Sequence, residues 1–326
     1  MLDEITAASP TESTSVVSGD DRPLRGLAGA RPPRPAWFAA ALDRAPERRM
    51  VTVEGAALEL LCWGELGKPG LLFLPGLGAA ASWWEPIAPF FADDYRCAAL
   101  SWSGMGRSDW RDAYGLDQFT REIDGAIAAG GLAANGRPPL LVAHSFGTMP
   151  AALWGQRTPD APGLVLVDRT LVDPDCAWRP PPPRTAPTRL YPSAALALAN
   201  FRLTPPQPCP CPFLVDHIAR DGLREIEAPD GSPAWTWRYD SLMRSRMTDE
   251  MHDDVYSGLT CPVAFIWGEH SLSIANGGPA YVRRRFPQAP SIVLPDAGHH
   301  VMLDQPLALI AALRTLLDTW ARPIAA

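Results

Sequence analysis

The sequence predicts an α/β protein: an open, mostly parallel, twisted sheet with helices on its faces and a mainly helical insertion late in the chain. Three observations predict it. Short runs such as LLFL, LLVA and LVLV are wholly apolar, which suits strands buried on both faces of a parallel sheet. Segments with an apolar period of about 3.6 residues lie between them. The alternation stops between about residues 171 and 255 and resumes afterwards, as an insertion in one continuous fold would make it.

The size allows this. The 326 residues are 47% hydrophobic, enough for a sizeable core and an added lid. The net charge of −7 argues against a nucleic-acid or anionic-membrane partner, and Lys68 is the only lysine. The N-terminal MLDEITAASPTESTSVVSGDD is acidic and rich in Ser and Thr, without the basic start and apolar centre of a signal peptide. A cytoplasmic protein acting on a small molecule is the expectation.

Read in order, residues 1–35 form a disordered arm that ends in RPPRP. Residues 36–170 form the first part of the core. AWFAAALDRA is a short helix, and RRMVTVEGAALELLCWGE is a hairpin turning at Glu54-Gly55. LLFL (71–74), CAAL (97–100), LLVA (140–143) and LVLV (164–167) are the buried strands. Leu116, Phe119, Ile123 and Ile127 share one face of a helix that Gly130 stops. Residues 171–255 form the lid, with RPPPPR, PPQPCPCP and a helix near FLVDHIARDGLREI, and no clear apolar strand. Residues 256–326 complete the core with VAFIW (263–267), SIVL (291–294) and a helix that starts at Pro306 and aligns Ile310, Leu313, Leu317 and Trp320.

The six cysteines suggest no metal site. Cys62, Cys97 and Cys261 sit in apolar strand contexts, and Cys209 and Cys211 form a C-P-C without further ligands at suitable spacing. No cofactor is implied.

The candidate nucleophile is Ser145, in LLVAHSFGTMPAALWG. An apolar strand runs into Ala143-His144-Ser145-Phe146-Gly147 and a helix follows. A serine on so tight a strand-to-helix turn needs strained backbone angles and small residues two positions to either side. The helix N-terminus behind it would place N–H groups beside a developing negative charge.

With this segment, LFLPGLGAAASWW, YRCAALSWSGMGRSD and DAGHHVMLDQP make the chain resemble the α/β-hydrolase-fold superfamily over roughly residues 48–170 and 256–322. Among the departures from the usual pattern, Ala143 replaces the first Gly of the nucleophile motif, and Met105 replaces the His of Gly-His-Gly-x-Ser. The resemblance implies that His299, directly after Gly298, is the general base, with His300 as its rival. It also implies an oxyanion hole from the backbone N–H groups of Phe146 and Leu77. Pro75 stands where many relatives have His and has no backbone N–H to offer.

The acid is the open point. In the family it usually follows the seventh core strand, at the position held here by Ser271, in AFIWGEHSLS. Two carboxylates can substitute. Asp168 ends the sixth strand, and Glu269 lies two residues before Ser271. Neighbouring strands are about 4.8 Å apart, so either tip can approach His299. Some members of the family it resembles place the acid after the sixth strand, and the order Ser145, Asp168, His299 also satisfies the family's order of Ser, acid and His, so Asp168 is the expected acid; Glu269 is the alternative, and a site without an acid is the third option.

These residues point to a serine hydrolase that cleaves a carboxylic ester or lactone through an acyl-enzyme. Trp83, Trp102, Trp235 and Trp237 are the expected pocket walls, with Trp178, Phe201, Phe213, Arg238 and Tyr239 as further candidates, which suggests a bulky, aromatic or apolar substrate. Three other readings are compatible: a cofactor-free dioxygenase using the His–Asp pair, a C–C bond hydrolase, and a non-enzymatic ligand receptor of the same fold.

Overall fold

The computed structural model describes residues 21–169, 185–249 and 253–321. Within them the chain forms, in order, α1 (Ala36–Asp43), β1 (Glu47–Val53), β2 (Ala56–Trp63), β3 (Gly70–Leu74), β4 (Arg96–Leu100), α2 (Leu116–Gly130), β5 (Leu140–His144), α3 (Thr148–Arg157) and β6 (Leu164–Val167). The insertion contributes α4 (Ala194–Ala199), α5 (Pro212–Asp221), β7 (Leu223–Glu227) and β8 (Pro233–Trp237). The core resumes with β9 (Val263–Gly268), α6 (Leu272–Ala275), α7 (Gly278–Arg285), β10 (Ser291–Leu294), α8 (Val301–Asp304) and α9 (Pro306–Ala321).

Eight strands make one sheet in the order β1-β2-β4-β3-β5-β6-β9-β10. The β1–β2 hairpin turns at Glu54 and Gly55, both with left-handed φ, as a tight two-residue turn requires. β2 is antiparallel to β4, and every pairing from β4 to β10 is parallel. Each of the apolar runs forms part of a strand. Alternate side chains leave opposite faces, so each strand feeds two cores. Phe73, Val142, Val165 and Ile266 pack with Leu309, Leu313 and Leu317 of α9. Leu72, Leu141, Leu166 and Phe265 pack with Phe119 and Ile123 of α2 and Met149 of α3.

Three expectations need correction. Residues 21–35 are not a disordered arm. Leu24 is buried in the α9-side core, and Arg220 of α5 donates to the carbonyl of Gly29 at 2.8 Å. Residues 1–20 lie outside the described residues. The segment FLVDHIARDGLREI is helical only to Asp221; Leu223 then starts a hairpin that pairs β7 with β8, from Leu223 opposite Trp237 to Glu227 opposite Pro233. Helix α2 includes Gly130, and it is Gly131, with φ 65°, that ends it.

No helix among the described residues is long and apolar enough to cross a membrane.

Candidate active site

β5 carries the chain to the site edge of the sheet, where the backbone turns sharply at Ser145, whose φ is 51°. A non-glycine residue holds that angle only under strain, and the reward is a hydroxyl lifted clear of the strand. Gly147 cannot be larger: a Cβ there would lie 2.6 Å from the carbonyl oxygen of Pro75. Gly76 is confined from the other side, since its Cβ would meet His144 Nδ1 at 3.0 Å and the Ser145 side chain at 3.1 Å. The loop after β3 and the turn at Ser145 are thus pressed together.

Trp102 supports this loop. Its indole N–H donates to the Pro75 carbonyl at 2.9 Å, and its ring meets Phe119 and Phe146 edge-on. It is fully buried, so the expectation that it lines the pocket is corrected.

His299 lies in the loop between β10 and α8, and three groups form one hydrogen-bonded chain. Ser145 Oγ is 3.0 Å from His299 Nε2, and His299 Nδ1 is 2.9 Å from Asp168 Oδ1. A carboxylate can only accept, so Nδ1 carries the proton and Nε2 is left to accept from the serine.

Asp168 directly follows β6 and is itself left-handed, with φ 44°. Its side chain is 0% exposed. A buried carboxylate needs donors around it. Besides His299 it has the backbone N–H of Gly268 at 2.8 Å and the Ser273 hydroxyl at 3.2 Å. Ser273 was not a sequence candidate; only its two-residue offset from Ser271 pointed towards it.

The other proposed acid lies elsewhere. Glu269 is exposed and accepts from the backbone N–H of Asp296 at 3.1 Å. Ser271 does not face His299 as its orienting group. Its hydroxyl caps α6, accepting from the backbone N–H of Ile274.

Two more imidazoles flank His299. His144 Nε2 donates to the carbonyl of His299 at 2.9 Å, and burial, followed by repulsion from His299, pushes its pKa down to about 3. His300 is buried too, and the same two causes hold it well below the ordinary value. Both rings are therefore neutral at physiological pH and add no charge beside the relay.

Two groups among the described residues carry donor atoms suited to a metal ion: His144, His299 and His300, with nitrogens within 4.8 Å of one another, and the exposed Glu269, His270 and Asp296. In the first group both nitrogens of His299 are already engaged, so a metal ion would have to break the chain to Ser145 or Asp168.

Of the remaining pocket candidates, Trp83 is half-buried, with its ring 5.3 Å from that of His300. Trp235 and Trp237 lie on β8. The backbone of Trp235 pairs with Tyr191, and the ring of Trp237 packs on Phe201. Phe213 packs against Trp37 and Phe38. Trp178 lies outside the described residues.

Residues 71–313 match the Alpha/beta hydrolase family. Among curated proteins, the chain is 26% identical over 277 residues to the esterase Rv0045c of Mycobacterium tuberculosis, covering 82% of this chain and 88% of that one. Among solved structures, it is similar to E-2-(acetamidomethylene)succinate hydrolase, with a TM-score of 0.69 and 21% identity over 84% of this chain and 99% of that one. It is similar as well to the thioesterase domain from the curacin biosynthetic pathway, with a TM-score of 0.67 and 21% identity over 83% and 99% of the two chains.

Proposed function

The chain belongs to the alpha/beta hydrolase family, and from that premise we propose that it is a serine hydrolase that cleaves a carboxylic ester or lactone through an acyl-enzyme. The observation that carries the reading is the unbroken chain Asp168–His299–Ser145, with links of 2.9 and 3.0 Å. The similarity to a protein named as an esterase supports a hydrolase.

In this mechanism Ser145 Oγ attacks the ester carbonyl carbon while His299 Nε2 takes the hydroxyl proton. The carbonyl oxygen becomes an oxyanion that the backbone N–H groups of Leu77 and Phe146 receive. Asp168 remains ionised, holds Nδ1–H and stabilises the imidazolium. As the tetrahedral intermediate collapses, His299 returns the proton to the departing alkoxide, leaving an acyl-Ser145. Water, deprotonated by the same imidazole, then releases the acid and regenerates the serine. Trp83 beside the histidine loop supports an aromatic or otherwise bulky apolar acyl or alcohol group.

The position of Asp168 after β6 is also the observation that favours the second reading, a cofactor-free dioxygenase in which the His–Asp pair deprotonates an aromatic hydroxyl. One experiment separates them. A fluorophosphonate should label Ser145, and a p-nitrophenyl ester should show burst release of nitrophenol, both lost in Ser145→Ala. Oxygen uptake on a hydroxyquinolone-type substrate, with no labelling and no ester turnover, would reverse the assignment.

A further inference from the structure

Gln207 lies in the insertion, within PPQPCPCP, yet its side chain reaches the core loop that carries His299. Its Oε1 accepts from the backbone N–H of His300 at 2.7 Å. Its Nε2 donates to Asp304 Oδ2 at 2.7 Å. The same carboxylate oxygen accepts from the backbone N–H of Gly298, again at 2.7 Å. The backbone N–H groups of both neighbours of His299, Gly298 and His300, are therefore held, one by α8 and one by the insertion, and the two holders bond each other. The carbonyl of His299 itself is held by His144.

Chemistry fixes which way the amide points. A backbone N–H needs its oxygen end, and a carboxylate needs its NH₂ end. The fit is close as well. A Cβ on Gly298 would lie 2.9 Å from Gln207 Oε1, so the glycine before the histidine is the floor on which Gln207 rests. Four residues on, the Cys211 thiol is 3.9 Å from the Asp304 carbonyl oxygen, a weaker second tether of the insertion to α8. Asp304 is buried, which raises its pKa to about 6 against the pull of the Gly298 N–H and the Gln207 amide. Losing Gln207 would leave that carboxylate short of a donor and the His300 N–H short of an acceptor.

We propose that Gln207 is a positioning residue for His299, so that the reactivity of Ser145 depends on the insertion being seated on the core. The inference rests on the reading of His299 as the base that activates Ser145. A side chain that merely fastened the insertion would affect stability alone; one that aims the imidazole affects the proton transfer.

The test uses the full chain, the rate constant of Ser145 labelling by a fluorophosphonate, kcat and KM on a p-nitrophenyl ester, and the thermal midpoint. Gln207→Leu keeps the bulk and removes both bonds. It should lower the labelling rate and kcat about ten- to a hundred-fold, as a small misplacement of a reacting group does, with KM within about twofold. Gln207→Glu keeps the acceptor for His300 but sets a second carboxylate against Asp304, and the pair must share a proton. Its activity should fall on the alkaline side of the pH profile, where that proton leaves. The other titratable groups facing Asp304 are His270 and the thiols of Cys209 and Cys211, which all variants share. If Gln207→Leu is labelled at the wild-type rate while its thermal midpoint falls, Gln207 only fastens the insertion and the proposal is overturned. If the wild-type chain is not labelled at all, the assignment of Ser145 fails first and takes this inference with it.

Discussion

β6 and β9 run side by side and end at the same edge of the sheet, yet their tips do different work. The tip of β6 holds Asp168, fully buried, with three donors on its carboxylate. The tip of β9 holds Glu269, exposed and bonded to the single backbone N–H of Asp296. Proximity of strands therefore does not decide which acid meets His299. What differs is the backbone and the donors: Asp168 is left-handed, and its carboxylate accepts from the Gly268 N–H of the neighbouring strand. β9 has not fallen idle. Its Gly268 supplies that donor, and Ser271 starts the short helix that carries Ser273 onto the other carboxylate oxygen. One strand bears the charge and its neighbour builds the cradle.

The largest test of this division is Asp168→Asn, which should reduce kcat by about 10⁴-fold with the fold intact, because the base loses its charged partner and its tautomer. Adding Ser271→Asp should not rescue it, since an aspartate there caps α6 as serine does. Recovery on a p-nitrophenyl ester would mean that the two tips are interchangeable after all. A smaller effect is expected from Ser273→Ala. Loss of one donor to Asp168 costs about 1 kcal/mol, or roughly fivefold in kcat, with KM steady. The weakest pair sharpens the contrast within β9's own loop. Ser271→Ala should lower stability by about 1 kcal/mol through the lost cap, read as a shift in the denaturation midpoint. Glu269→Gln should change kcat less than twofold and leave the midpoint where it is; a collapse of activity there would return the acid to β9.

Much of this was legible in the chain because burial on both faces leaves uniform apolar runs such as LLFL and VAFIW, and because a serine on a forced turn needs the small Ala143 and Gly147. Asp168 entered through the resemblance, which allows an acid after the sixth strand, with Glu269 left beside it. What remained hidden depends on contacts that have no local signature. The β7–β8 hairpin carries Arg224, Glu225 and Glu227 among its apolar residues, so it has no apolar run. Trp102 reads as a pocket aromatic until its indole is seen bonded to Pro75. Gln207 meets Asp304 across 97 residues, and nothing in a proline-rich stretch announces that partner.

Asp168 stands directly after β6, where the core ends and the insertion follows in the sequence. In a relative with its acid on the seventh core strand, an insertion at this point can be exchanged as a cassette without touching the relay. Here the splice site and the carboxylate that meets His299 are neighbours. A lid graft must keep Asp168 with the recipient core, and a transplanted lid would also have to bring its own substitute for Gln207. Modularity in this chain is limited at both ends of the exchangeable part.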